Sequence, residues 1–228
     1  MDRPRLYSDL APWFHLLTAP QDYAVEADFY TRVLTESSEI PVASVLELGS
    51  GGGNNASHMK DRFELTLTDL SEEMLAVSRS VNPEIEHVAG DMRTLRLGRA
   101  FDGVFVHDAI DYMTTVEDLG AAIETAFVHC APGGAALFAP DHVAETFAAA
   151  TEDGGHDCAD GRGLRYLEWT WDPDPSDDTY RADFAYLLRK ATGEVEIVHD
   201  CHTCGLFPRA RWLELIETAG FRAELRDG

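Results

Sequence analysis

Lysine is nearly missing from this chain of 228 residues. Only Lys60 and Lys190 occur, and 18 basic residues face 41 acidic ones for a net charge of −23. Nucleic acids are gripped by clustered Lys and Arg, so this balance argues against such a partner. It suits a neutral or cationic small molecule. Long apolar runs are missing too, and none nears the ~18 residues a membrane helix requires. The opening MDRPRLYSDLAPWF has no apolar core of a signal peptide. The expectation is a cytoplasmic protein that meets no membrane. Four cysteines in a chain of this size do not look like a secreted disulfide framework.

What is present is an alternation of apolar strands and amphipathic helices. Residues 22–36 place Tyr23, Ala27, Tyr30 and Leu34 at helical spacing. Short buried strands are expected at 42–48, 64–69, 85–91, 101–107 and 135–140. Helices are expected between them: one after the glycine-rich turn, capped by Asn54 or Asn55, one over 71–81 and one over 116–130. This rhythm predicts an α/β fold, a doubly wound and mostly parallel sheet with helices on both faces.

After Asp141 the pattern changes. Residues 142–150 read as a short helix and 151–163 as loop. Residues 164–171, 179–189 and 194–202 read as an inserted three-stranded antiparallel lid. In the middle strand Tyr180, Ala182, Phe184, Tyr186 and Leu188 share one face; in the last, Val195, Ile197, His199 and Cys201 do. A helix over 208–220 and a final strand at 221–226 complete the chain. The expected division is a core of residues 1–140 plus 203–228, with a helical cap at 1–41, and a lid or substrate subdomain at 141–202.

The segment VLELGSGGGNN (45–55) carries the sharpest signal. A dinucleotide fingerprint needs glycine at the position of Asn54, and a P-loop needs a Gly-Lys-Ser/Thr ending that is not there. The spacing that fits is Glu-x-Gly-x-Gly-x-Gly, formed by Glu47, Gly49, Gly51 and Gly53. Further along stand Asp69 ending LTLTD, Asp91-Met92 in HVAGDMR, FDGVFVHDAIDYM, and CAPGGAALF.

In this order these motifs resemble the class I S-adenosylmethionine-dependent methyltransferases, which have a Rossmann-like fold. The N-terminal YSDLAPWFHLL and the lid resemble the branch of amino-sugar N-methyltransferases and glycine N-methyltransferase. The resemblance implies S-adenosyl-L-methionine as cofactor and S-adenosyl-L-homocysteine as product. The glycines would let backbone lie beside the methionine chain, and Glu47 would anchor the amino group. Asp69 would accept from the ribose hydroxyls, with Leu70 beside it, and Asp91 and Met92 would hold the adenine. Ser50 and the His107 backbone complete the implied contacts, and Tyr7 would close over the methionine end. Many relatives carry one more strand than is read here, so a seventh strand is not expected.

Methyl transfer needs an aligned nucleophile and little water. His107 is weighed as a base against a scaffold role, Tyr112 as a substrate contact against packing, and His142 as a group beside the acceptor. Asp141 is weighed as a helix cap. Trp13, Phe14, Tyr166, Trp169 and Trp171 could wall an apolar pocket or pack the lid. His199, Cys201, His202 and Cys204 lack the converging geometry of a zinc site, so no metal is expected, though His202 alone could face the pocket. The expected activity is methylation of a small molecule, an amine favoured over a hydroxyl. The alternatives are an NAD(P)-dependent oxidoreductase or a non-catalytic S-adenosylmethionine-binding module, and a homodimer is left open.

Asp69→Ala removes two charge-assisted hydrogen bonds of about 1.5–3 kcal/mol each. Calorimetric titration with S-adenosylmethionine should show a correspondingly large loss of affinity. An unchanged affinity would show Asp69 to be misassigned.

Overall fold

The computed structural model describes residues 4–226. Five strands form one parallel sheet: β1 (Ser44–Leu48), β2 (Glu64–Asp69), β3 (Glu86–Ala89), β4 (Phe101–Val106) and β5 (Cys130–Phe138). Their order is β3-β2-β1-β4-β5. The helices are α1 (Phe14–Leu17), α2 (Ala24–Ser37), α3 (Ala56–Met59), α4 (Glu72–Val81), α5 (Val116–His129) and α6 (Arg209–Ala219).

Alternation sends neighbouring residues of each strand to opposite faces. Leu46, Leu48, Val104 and Val106 pack with Leu119, Ile123 and Trp212 of α5 and α6. Val45, Leu67 and Phe105 pack with Ala27 and Leu34 of α2 and Met59 of α3. Both faces are covered, which is why β1 reads as a continuous apolar run broken only by Glu47.

Local chemistry starts and stops the helices where the sequence indicated. Ser71 Oγ accepts from Met74 N–H at 3.0 Å, and Glu72 and Glu73 sit in the positive first turn of α4. Thr115 Oγ1 accepts from Asp118 N–H at 3.1 Å to open α5. Pro208 precedes α6 and left-handed Gly220 ends it.

A second sheet is antiparallel, in the order β6-β7-β8-β9. Its strands are β6 (Ala150–Gly154), β7 (Gly163–Trp171), β8 (Thr179–Arg189) and β9 (Val195–Gly205). The lid thus has four strands rather than three, because residues read as loop pair with Tyr166–Thr170 of β7. The β8 face of Tyr180, Ala182, Phe184, Tyr186 and Leu188 is buried, and it packs on Leu6, Leu10 and Leu16 of the N-terminal segment. On β9 the buried set is Val198, Asp200, His202 and Cys204, while Val195 and Ile197 are exposed.

Three other expectations change. Residues 142–150 form turns and the start of β6 instead of a helix, so Asp141 caps nothing. Residues 221–226 form no strand. The helix after the glycine turn has four residues, and neither Asn54 nor Asn55 caps it. Instead Asn54 Nδ2 donates to Thr18 O at 3.2 Å and Asn55 Nδ2 to Glu26 Oε1 at 3.1 Å, tying the turn to the N-terminal segment.

Gly53 has φ +74°, and an added Cβ would overlap the side chains of Ser78 and Asn82 on α4. Gly53→Ala should therefore lower stability by more than about 1 kcal/mol. Thermal unfolding without ligand reads this out.

Candidate active site

Two cavities lie at the carboxyl ends of the parallel strands, where open α/β sheets bind ligands. The first, of about 460 Å³, is lined by the glycine turn. Gly49 has φ +74°, and a Cβ there would overlap Ala109, so the turn and the segment after β4 touch backbone to side chain. Gly49 and Ser50 both donate their N–H to Thr68 O at 2.8 Å. Asp69 is fixed by Gly51 N–H at 2.9 Å and Ser71 N–H at 2.7 Å. Backbone donors thus set the angle at which this carboxylate faces the cavity.

Glu47 is 3% exposed, and its Oε2 has no hydrogen-bond partner. Burial, with added repulsion from Asp108 and Asp69, pushes its carboxyl up to about 8, against the opposing pull of His107. His107 shows the opposite balance. Burial alone would lower its pKa, but Asp108, Glu26 and Asp141 raise it to about 9. The ring is therefore a cation at neutral pH, with Glu26 at 3.4 Å and Asp108 at 3.5 Å.

Asp91 is held by Arg93, whose Nη2 lies 2.6 Å away and whose Nη1 reaches Asp118 at 3.0 Å. That bond, offsetting burial, keeps Asp91 below the ordinary carboxylate range.

The second cavity, of about 550 Å³, lies under the lid sheet. Asp22, Asp108, Asp111, Asp141 and Glu168 line it, and no Lys or Arg does. Burial pushes all of Asp111, Asp141 and Glu168 upward, Asp141 to about 7 with help from Asp108. Burial lowers His142, which is therefore neutral at pH 7 and packs edge-on to Phe147 and Tyr180.

Tyr7, Phe14, Tyr23, Asp108 and Tyr112 line both cavities and form the wall between them. Tyr112 Oη lies 2.8 Å from Tyr7 Oη and 2.7 Å from His202 Nδ1. His202 Nε2 lies 3.2 Å from Asp200 Oδ2, which also accepts Leu6 N–H at 2.9 Å. The Tyr112 hydroxyl donates to Tyr7, and the same oxygen meets the His202 ring, whose far nitrogen faces Asp200. Burial raises both phenols, so both stay protonated. Strand β9 completes the wall: Cys201 and Thr203 line the first cavity, His202 and Cys204 the second.

Of the residues singled out in the sequence, Tyr7, Glu47, Gly49, Ser50, Gly51, Asp69, Leu70, Asp91, Met92 and His107 all line the first cavity. Gly53 does not; its conformation serves the approach to α4. Tyr112 stands in the shared wall and His142 in the lid cavity, whereas His107 lines only the first. Phe14 and Tyr166 line the lid cavity, but Trp13, Trp169 and Trp171 do not, and Trp169 is exposed on the outer face of the sheet. Asp111, Glu168 and Asp200 were not anticipated. The second aspartate of HDAIDYM, three residues after Asp108, was the available signal for Asp111. Among the described residues no group of His, Cys, Asp and Glu could hold a metal ion.

Residues 45–134 match a protein family described as "Methyltransferase domain". The chain is 30% identical over 211 residues to dTDP-3-amino-3,4,6-trideoxy-alpha-D-glucopyranose N,N-dimethyltransferase of Streptomyces venezuelae, covering 91% of this chain and 87% of that one. The crystal structure of Streptomyces venezuelae DesVI superposes with a TM-score of 0.83 at 27% identity, covering 96% of this chain and 91% of that one. The sugar N-methyltransferase KedS8 from Streptoalloteichus superposes with a TM-score of 0.76 at 26% identity, over 88% of this chain and 80% of that one.

The first cavity fits S-adenosylmethionine on its own chemistry. Glu47 Oε2 and Ser50 Oγ are buried acceptors without partners beside the glycine turn, suited to an amino-acid tail. Asp69 is an oriented carboxylate suited to a pair of hydroxyls.

The Glu47 carboxyl yields a signed prediction. Its folded pKa of about 8 exceeds the ordinary 4.5, so the stability it contributes is complete below pH 4.5 and is lost as pH rises through 8. The melting temperature of Glu47→Gln should gain on that of the unsubstituted protein between pH 5 and 8. S-adenosylhomocysteine, whose amino group would neutralise the carboxylate, should shrink the difference.

Proposed function

This chain belongs to the class I S-adenosylmethionine-dependent methyltransferases, and we propose that it methylates the nitrogen of a small-molecule amine held in the lid cavity. The observation that carries this reading is the charge of that cavity: five carboxylates line it and no Lys or Arg. A hydroxyl acceptor must develop negative charge as it loses its proton, which such a wall opposes. An amine arrives as a cation, which the same wall attracts.

The bound cofactor supplies an electrophilic sulfonium methyl. The protein's own task is to align the nitrogen at roughly 3 Å from that carbon and to keep water out. The Tyr7–Tyr112 wall stands between the two cavities, and the chain to His202 and Asp200 holds both phenols still. A nitrogen can attack only when neutral. Asp141, with its carboxyl near 7, is the group whose protonation state changes most readily at working pH, and it takes the ammonium proton before transfer. His107, already charged, serves better as a scaffold beside Glu47 than as a base. Asp69, Leu70, Asp91 and Met92 hold the nucleoside in this reading, and Tyr7 with Ser50 the amino-acid end.

No helix of the described residues is long and apolar enough to cross a membrane. With the charge of −23 this supports a cytoplasmic enzyme acting on small molecules rather than on nucleic acid.

Transfer of labelled methyl from S-adenosylmethionine to a panel of amines and matched alcohols tests the proposal. Nitrogen products are expected; products on oxygen alone would refute it. His202→Ala frees Tyr112 and should lower kcat by about 10-fold or more while leaving S-adenosylhomocysteine affinity within about 3-fold.

A further inference from the structure

We infer that the acceptor enters the lid cavity as a phosphate-free molecule carrying an ammonium group, and that Asp111 seats that ammonium. The inference rests on the N-methylation reading above and narrows its substrate class.

Asp111 is 3% exposed and lines the lid cavity. Its Oδ2 accepts Asp141 N–H at 3.0 Å and the Tyr180 hydroxyl at 3.3 Å. Its Oδ1 is buried and has no partner. A buried carboxylate oxygen left unpaired is costly, and the natural complement is a ligand that brings N–H donors and positive charge. An ammonium brings both. The neighbours reinforce the choice, because Asp108, Asp141 and Glu168 face the same space.

The same wall is hostile to phosphate. A nucleoside diphosphate, the carrier for which the Streptomyces venezuelae relative is named, would bring at least two negative charges into a cavity lined by five acids and no Lys or Arg. The basic residues of the lid are already committed. Arg165 and Arg189 both pair with Asp157, Arg162 with Asp160 and Arg181 with Asp183. None of these arginines lines the cavity, so a diphosphate there would meet no guanidinium or ammonium.

Calorimetric titration of the full chain saturated with S-adenosylhomocysteine tests this with three probes: cyclohexylammonium, cyclohexanol and dTDP. The ammonium should bind and the alcohol should bind at least about 10-fold more weakly, while dTDP should show no saturable binding up to about 1 mM. Asp111→Asn, which keeps the shape and an acceptor for Asp141 N–H, should weaken the ammonium about 10-fold or more at unchanged S-adenosylhomocysteine affinity. Binding of dTDP at or below that concentration, equal binding of the alcohol, or no binding of the ammonium would each overturn the inference. If Asp111→Asn fails to fold, the comparison of the three probes on the unsubstituted protein still decides. Binding of dTDP together with turnover of amines would overturn this inference alone, whereas methyl transfer confined to hydroxyls would overturn the N-methylation reading beneath it.

Discussion

One buried carboxylate ties together three parts of the chain. Asp200, on the last lid strand, accepts the Leu6 N–H of the N-terminal segment and faces His202 Nε2. His202 in turn meets Tyr112 of the turn after β4, and Tyr112 meets Tyr7. Together with the Tyr180 hydroxyl on Asp111 and the Asn54 and Asn55 bonds to the N-terminal segment, this carboxylate adds direction to contacts that are otherwise apolar. Apolar packing is strong but does not choose an angle. The hydrogen-bond chain chooses it, and so sets where the two cavities meet. His202 and Asp200 shape the site without any requirement to touch a reacting atom.

Charge is arranged as a second constraint. The first cavity pairs a buried acid, Glu47, with an imidazole, His107, which draws the Glu47 titration down against burial while Asp108, Glu26 and Asp141 raise its own. The second has five acids but no Lys or Arg among its lining residues. The two halves of the site therefore attract ligands for different reasons. One offers shape around a turn of glycines; the other offers an electrostatic well.

The parallel core was legible because its signals are local. A buried strand is a short apolar run, and Ser71, Pro208 and Gly220 punctuate the helices chemically. The cofactor side was legible for the same reason, since its residues lie just after strands at fixed spacing. The lid was harder. Strand β6 is Ala-Thr-Glu-Asp-Gly, a sequence with no strand preference, formed only because β7 offers it an edge. The face of β9 was open to misreading because Val195 and Ile197 are apolar yet point outward, while Asp200 and His202 are polar yet buried. Hydrophobicity and burial part company there because the buried polar groups satisfy one another. Gly53 was read as a ligand contact, but its constraint comes from Ser78 and Asn82, distant in sequence. Asp111 and Glu168 could not be ranked above other acids in a chain with 41 of them.

Strand β9 has a consequence for how the enzyme could change over evolutionary time. Cys201 and Thr203 serve one cavity, His202 and Cys204 the other, because the pleat alternates. Substitutions at odd positions can retune donor contacts while those at even positions retune acceptor contacts, each with little trespass on the other. A single-residue insertion or deletion in this stretch has no such freedom, because it would exchange the two sets of side chains at once. Outside His202, which holds Tyr112, this stretch is thus open to drift in residue identity and closed to drift in length.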